Sequence, residues 1–118
     1  MLSASSLSRV VASPDGNWLA SGGYYGPEIR STASDQAPAI LLQHTNYVAD
    51  LAFSPDSRHL LTASSDATSQ VWSLVERRLL ASLLHTSSVA CCAWSSDGEH
   101  FATAQEDGLV RIWRLQKS

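Results

Sequence analysis

Residues 44–74, HTNYVADLAFSPDSRHLLTASSDATSQVWSL, return 41 positions later as residues 85–115, HTSSVACCAWSSDGEHFATAQEDGLVRIWRL, with no gap anywhere along the segment. His, Thr, Val, the mid-strand Ala, Ser, Asp, a second His, a Thr-Ala pair, a second Asp, Trp and Leu all recur in register. A third, weaker copy lies upstream: Ser13-Pro14-Asp15 precedes Ser54-Pro55-Asp56 by the same 41 residues, and Leu19 precedes Leu60. Repetition at a fixed period means that one structural unit is used several times, each burying its apolar faces by stacking on the next. The chain therefore divides into repeats of about 7–43, 44–84 and 85–118 within a single domain, 1–118.

Within each repeat, short apolar runs are bounded by turn residues: RVVA then SPDG, NWLAS then GGYYGP, AILL then QHTN. That rhythm predicts an all-β chain, and no stretch sustains a helical period. Pro and Asp ahead of Gly or Ser suit tight turns between antiparallel strands. The first repeat is expected to form strands at 7–12, 17–22, 28–32 and 39–43. The second should form them at 47–53, 59–63, 68–74 and 78–84, and the third at 89–94, 100–104 and 109–115, with no fourth. The first strands of the last two repeats, VADLAFS and VACCAWS, are apolar at most positions instead of alternating, as expected where a sheet is covered on both faces. Residues 1–6 are expected to fray.

Composition excludes several classes of function. A net charge of −3 gives no basic footprint for nucleic acid, and the only basic pair, Arg77-Arg78, is expected in an exposed turn. No apolar run is long enough to span a membrane, and the N-terminal residues lack the pattern of a secretory signal. Cys91 and Cys92 are adjacent, so they supply neither a disulfide framework nor a metal-ligand spacing. They read as strand residues packing as small hydrophobes in an intracellular, reducing compartment, cytoplasmic or nuclear.

Over about 110 residues the chain resembles the WD40 family, whose repeats run for about 40–45 residues. In that family a His before the first strand, a Ser or Thr on the second, an Asp in the following turn and a Trp on the third form a hydrogen-bonded set. The resemblance assigns these roles to His44, Thr62, Asp66 and Trp72, and again to His85, Thr103, Asp107 and Trp113. A buried indole N–H needs an acceptor. A hydroxyl can accept it and donate to a His ring nitrogen, leaving Asp to accept from the other nitrogen and from turn amides. The fold implied is a partial WD40-type β-propeller: about three four-stranded antiparallel blades, the last lacking its outer strand. Closed propellers have about 4–8 blades, so three repeats do not close a ring by themselves.

The match has departures. The Gly that usually precedes the first His is Gln43 or Leu84, and the Asp after the Trp is Ser73 or Arg114. The first repeat keeps Ser21 in the hydroxyl position, but Tyr25 stands where Asp belongs and Ser31 where Trp belongs. Pro27 offers a place for its third strand to shift by a residue.

A hydroxyl, a His and an Asp in one unit also invite comparison with Ser-His-Asp hydrolases. The set occurs twice at the same period, however, whereas a nucleophile is needed once, and no GxSxG elbow exposes either Thr. It reads as a structural clamp, and the chain as no enzyme and without a cofactor. His59 and His100, also 41 apart, share their register with no third ligand, so no metal site is expected.

The resemblance also implies a binding rim formed by the loops between strands four and one and between strands two and three. Its contact positions are Tyr47, Ala49 and Ser65 in the second repeat, Ser88, Ala90 and Glu106 in the third, and Ser6, Ser8 and Tyr24 in the first. Tyr24 and Tyr47 are the natural anchors, since aromatics dominate interface energetics. The expected function is a non-catalytic scaffold module binding a protein or peptide on that rim, with self-association or completion of the propeller by another chain as a further possibility. The alternative is a truncated fragment of a larger scaffold with no independent activity. Neither nucleic acid nor membrane is an expected partner.

Overall fold

The computed structural model describes residues 9–24, 27–33 and 39–115. Ser6, Ser8 and Tyr25 lie outside the described residues. Eleven strands are formed among the described residues: β1 (Val10–Ala12), β2 (Trp18–Ser21), β3 (Glu28–Ser31), β4 (Ile40–Leu41), β5 (Val48–Phe53), β6 (His59–Ser64), β7 (Thr68–Ser73), β8 (Arg78–Leu84), β9 (Val89–Trp94), β10 (His100–Gln105) and β11 (Val110–Arg114). They make three antiparallel sheets, β1-β2-β3-β4, β5-β6-β7-β8 and β9-β10-β11. Each sheet is one repeat, and the third has no fourth strand among the described residues.

The turn between the first two strands is built identically in all three blades. Ser13 Oγ donates to Asp15 Oδ1 at 2.7 Å and accepts from Trp18 N at 3.0 Å, while Asp15 accepts from Asn17 N at 2.9 Å. Ser54 and Asp56 repeat this with His59 N and Arg58 N, and Ser95 and Asp97 with His100 N and Glu99 N. Hydrogen bonds, from the Ser13 hydroxyl first, hold the Asp15 carboxyl below its ordinary pKa, and Ser95 does the same for Asp97. The corner residue has a left-handed backbone, with φ of 77° at Gly16 and 73° at Gly98. In the middle blade that position is Ser57, at φ 61°. Its hydroxyl accepts from Asp15 N at 3.0 Å, tying the first two blades together at a position where a side chain is otherwise strained.

The middle blade is packed on both faces. Toward the first, Val48, Leu51, Leu60, Trp72 and Leu74 meet Ala20, Ile29 and Leu42. Toward the third, Leu61 and Val71 meet Phe101, with Cys92, Trp94 and Trp113 around them. This explains the apolar run in VADLAF: β5 lies between β1 and β9. Strand β9 differs from expectation, because Ala90, Cys91 and Ala93 are exposed and only its other face meets a blade. Cys91 is therefore no core residue, whereas burial, with Asp50 beside it, pushes the Cys92 thiol well up and makes it unreactive. Arg77, exposed as expected, lies 5.2 Å from the centroid of the Trp18 ring.

The first blade corrects one expectation. In the middle blade Leu60 pairs with Trp72, and in the third Phe101 pairs with Trp113. The matching Leu19 pairs with Arg30, so Arg30 and not Ser31 occupies the Trp position. Strand β3 is displaced by one residue relative to the 41-residue offset, which also puts Ile29 into the core at 1% exposure.

Candidate functional site

Five of the nine positions expected on the rim, drawn from all three repeats, lie along one continuous line. Gly23 and Val48 exchange backbone hydrogen bonds at 3.0 and 3.1 Å, joining the turn after β2 to the start of β5. This places the Tyr24 and Tyr47 rings edge to face, with centroids 5.0 Å apart and planes at 64°. Tyr47 O accepts from Ser65 N at 2.9 Å, Ser65 O from the Ser88 hydroxyl at 3.2 Å, and Ser88 O from Glu106 N at 2.9 Å. Tyr24 and Glu106 are exposed; Tyr47, Ser65 and Ser88 are half-buried. The order along the line is Tyr24, Tyr47, Ser65, Ser88, Glu106.

Ala49 and Ala90 occupy a feature that sequence reasoning missed. Val48 pairs with Ser64 and Asp50 with Ala63, which skips Ala49. Val89 pairs with Gln105 and Cys91 with Ala104, which skips Ala90. Each alanine is the extra residue of a β-bulge, a device that bends a strand and re-aims its neighbours near functional edges.

Behind the rim, the two hydrogen-bonded sets divide the expected bonds between them. In the middle blade His44 Nδ1 is 2.9 Å from Asp66 Oδ2, and His44 Nε2 is 2.7 Å from Thr62 Oγ1. A carboxylate only accepts, so Nδ1 donates to Asp66 and Nε2 accepts from the Thr62 hydroxyl. Asp66 also accepts from Thr45 N at 3.0 Å and Thr68 N at 2.9 Å. Trp72 is the member that does not join: its buried Nε1 has no hydrogen-bond partner among the described residues. Thr62 Oγ1 already accepts from Gln70 N at 3.0 Å, and the β7–β8 pairing shifts at Val71/Trp72.

The third blade reverses the pattern. Trp113 Nε1 donates to Thr103 Oγ1 at 3.2 Å. His85, however, reaches neither Thr103 nor Asp107. Its Nδ1 is 3.0 Å from Gln105 Oε1, and its Nε2 is 2.9 Å from Ser69 Oγ on the middle blade. The cause is Gln105, which stands where the middle blade has Ser64. Its longer side chain fills the gap, and its Nε2 donates to Thr86 Oγ1 at 3.0 Å and to Asp107 Oδ1 at 3.2 Å. Asp107 is thereby one residue removed from the His ring. All four nitrogens of the two rings are engaged within the fold, and the His44 side chain is fully buried.

Burial depresses the His44 pKa, against the opposing pull of Asp66. Burial works against the Asp66 charge too, but hydrogen bonds from Thr68, His44 and Thr45 outweigh it and hold that carboxyl low.

Asp50 is a further residue that the sequence did not single out. Its Oδ1 pairs with Arg9 Nε at 2.9 Å, and its Oδ2 accepts from Cys92 N at 3.0 Å. One carboxylate thus joins the innermost segments of all three blades. The available signal was a lone charge inside an apolar strand. Among the described residues no group of three or more His, Cys, Asp or Glu could hold a metal ion, and no helix is long and apolar enough to cross a membrane.

Comparison with known proteins gives the same architecture. A family model described as "WD domain, G-beta repeat" matches residues 3–26, 36–73 and 77–114. The chain is 36% identical over 74 residues to the Target of rapamycin complex subunit wat1 of Schizosaccharomyces pombe, covering 59% of this chain and 23% of that protein. It is 40% identical over 76 residues to a Protein LST8 homolog of Drosophila pseudoobscura pseudoobscura, covering 57% and 24%. The homolog in Drosophila melanogaster is also 40% identical, over 75 residues and the same shares. The chain thus matches about a quarter of the length of these relatives. With repeats recognised along most of its length and three stacked antiparallel sheets, the chain belongs to the WD40 family.

Proposed function

We propose that the chain is a non-catalytic protein-interaction module that takes a protein or peptide partner on the line from Tyr24 to Glu106. The observation that carries this is the Tyr24–Tyr47 pair, two aromatic rings 5.0 Å apart with Tyr24 64% exposed. Aromatic residues of this kind anchor interfaces, and the hydroxyls and carboxylate along the line supply directional contacts beside them. The chemistry behind the rim favours binding over catalysis, since both histidines are locked by internal hydrogen bonds. One relative is a Target of rapamycin complex subunit, which supports a role within a multiprotein assembly.

A photo-crosslinking amino acid placed at position 47 tests this reading, with position 75, an exposed residue at the opposite turn, as control. A discrete adduct formed from 47 and suppressed by Glu106→Lys is the expected result. Equal adducts from both positions would move the interface off the rim.

A further inference from the structure

Gly23, Ser64 and Gln105 follow one another at the 41-residue period, and each immediately precedes a position on the rim line: Tyr24, Ser65 or Glu106. All three are buried. Their chemistry differs from blade to blade. Gln105 sends its amide nitrogen to Thr86 and Asp107. Ser64 and Gly23 instead converge on one peptide group, that between Tyr47 and Val48. Tyr47 O accepts from the Ser64 hydroxyl at 3.0 Å and from Ser65 N at 2.9 Å, both on the middle blade. Val48 N donates to Gly23 O at 3.1 Å, and Gly23 N donates to Val48 O at 3.0 Å. The peptide is thus held through its C=O by one blade and through its N–H by the other.

We infer that Gly23 and Ser64 are the positioning residues of the Tyr24–Tyr47 anchor, acting on a partner only through the two rings. A peptide group is planar, so fixing both its C=O and its N–H sets the direction in which the Tyr47 side chain leaves the backbone. Tyr24 follows Gly23 directly, so the same pair of bonds places its ring against that of Tyr47. Each residue suits its part. Gly23 has φ 110°, which side-chain-bearing residues rarely adopt. The Ser64 hydroxyl has one proton to give, and it accepts from Asp66 N at 3.1 Å, which leaves that proton for Tyr47 O. Ser64 is 0% exposed, so no partner reaches it.

The functional weight of this assignment rests on the rim reading above; its geometry does not. An anchor already ordered before binding avoids a cost of about two- to tenfold in affinity for each side chain that would otherwise be immobilised. Ser69 supplies a matched comparison within the same blade. It too is a serine at 0% exposure, and its hydroxyl lies 2.9 Å from His85 Nε2 instead of on a rim carbonyl.

The test uses the full chain carrying fluorinated tyrosine, with the Tyr47 signal in the 19F NMR spectrum assigned through Tyr47→Phe. Tyr24→Leu removes the neighbouring ring and should shift the Tyr47 signal. The size of that shift reports how closely the two rings meet. In a Ser64→Ala or a Gly23→Ala background most of the shift should be lost, whereas Ser69→Ala should keep it. A full shift in either of the first two backgrounds, or an equal loss with Ser69→Ala, would overturn the assignment. The unaltered chain gives a second measurement that stands even if the alanine variants unfold. Its Ser64 hydroxyl proton and Val48 amide proton should both be protected from exchange with water, and free exchange of either would overturn the assignment. None of these measurements needs a partner. Their failure removes the positioning role, whereas crosslinks that place the interface elsewhere remove the rim reading and leave the geometry standing.

Discussion

Gln105 Oε1 stands 3.0 Å from His85 Nδ1, in the place where the middle blade sets Asp66 2.9 Å from His44 Nδ1. Two blades identical at 13 of 31 aligned positions thus satisfy the corresponding His ring with different chemistry, one with a carboxylate and one with an amide. The difference follows from a single position, Ser64 in one blade and Gln105 in the other.

Gln105→Ala should therefore destabilise the chain by about 1–3 kcal/mol, because it leaves a partly buried His85 nitrogen without its partner and frees the Arg111 guanidinium. Urea denaturation measures this. A cost within about 0.5 kcal/mol, the range of unremarkable surface changes, would show that the amide bridge contributes nothing.

The middle blade should confer a pH dependence that comes from His44 and Asp66. The folded pKa of His44 lies below its ordinary 6.5, so the unfolded chain takes up the proton first. Its contribution to stability is whole above about pH 6.5 and is lost as pH falls toward the folded value. Asp66, also depressed, adds a second loss below its ordinary 3.8. Melting temperature measured from pH 8 to 3 should fall on the acid side only, and His44→Gln should flatten the upper step. A parent and variant with superimposable profiles between pH 7 and 5 would remove His44 from this role.

Ser57 holds a left-handed backbone and an interblade hydrogen bond at once. Ser57→Gly removes the bond but also relieves the backbone, so its net effect should be within about 1 kcal/mol. Ser57→Ala loses the bond and keeps the strain, and should cost more than the glycine variant. The reverse order in thermal denaturation would mean that the hydroxyl does not join the blades.

The outer edge of β11 has no neighbouring strand among the described residues, and Val110 and Ile112 beside it are 60% and 76% exposed. An unprotected edge of this kind is a template for another strand. Light scattering at micromolar concentration should show association that Val110→Lys with Ile112→Lys reduces, with circular dichroism as the folding control. A concentration-independent monomer of the parent chain would contradict this.

The strands and turns were legible because the repeat prints them three times: β8 and β9 occupy the ranges expected from residue pattern alone. Of the four side chains expected in the middle-blade set, His44, Thr62 and Asp66 meet and Trp72 does not. What escaped depends on pairing partners distant in the chain. The one-residue shift that puts Arg30 opposite Leu19 is a property of the β2–β3 ladder: Pro27 marked where a shift could occur, but only the pairing shows that it does. The bulges at Ala49 and Ala90 likewise exist only relative to β6 and β10. The orphaned Trp72 indole reflects competition, because Gln70 N reaches Thr62 first. Gln105 could have been noticed as a long polar residue replacing Ser64, but nothing local says which ring it would reach.

Binding at the rim is tested most directly by calorimetric titration of the crosslinked partner, once identified, into the parent chain and into Tyr47→Ala. Loss of the Tyr24–Tyr47 anchor should weaken binding by at least about 1–2 kcal/mol, in the range of an interface anchor, with the circular dichroism spectrum unchanged. Unchanged affinity with an unchanged spectrum would contradict the account and take the binding surface away from this rim.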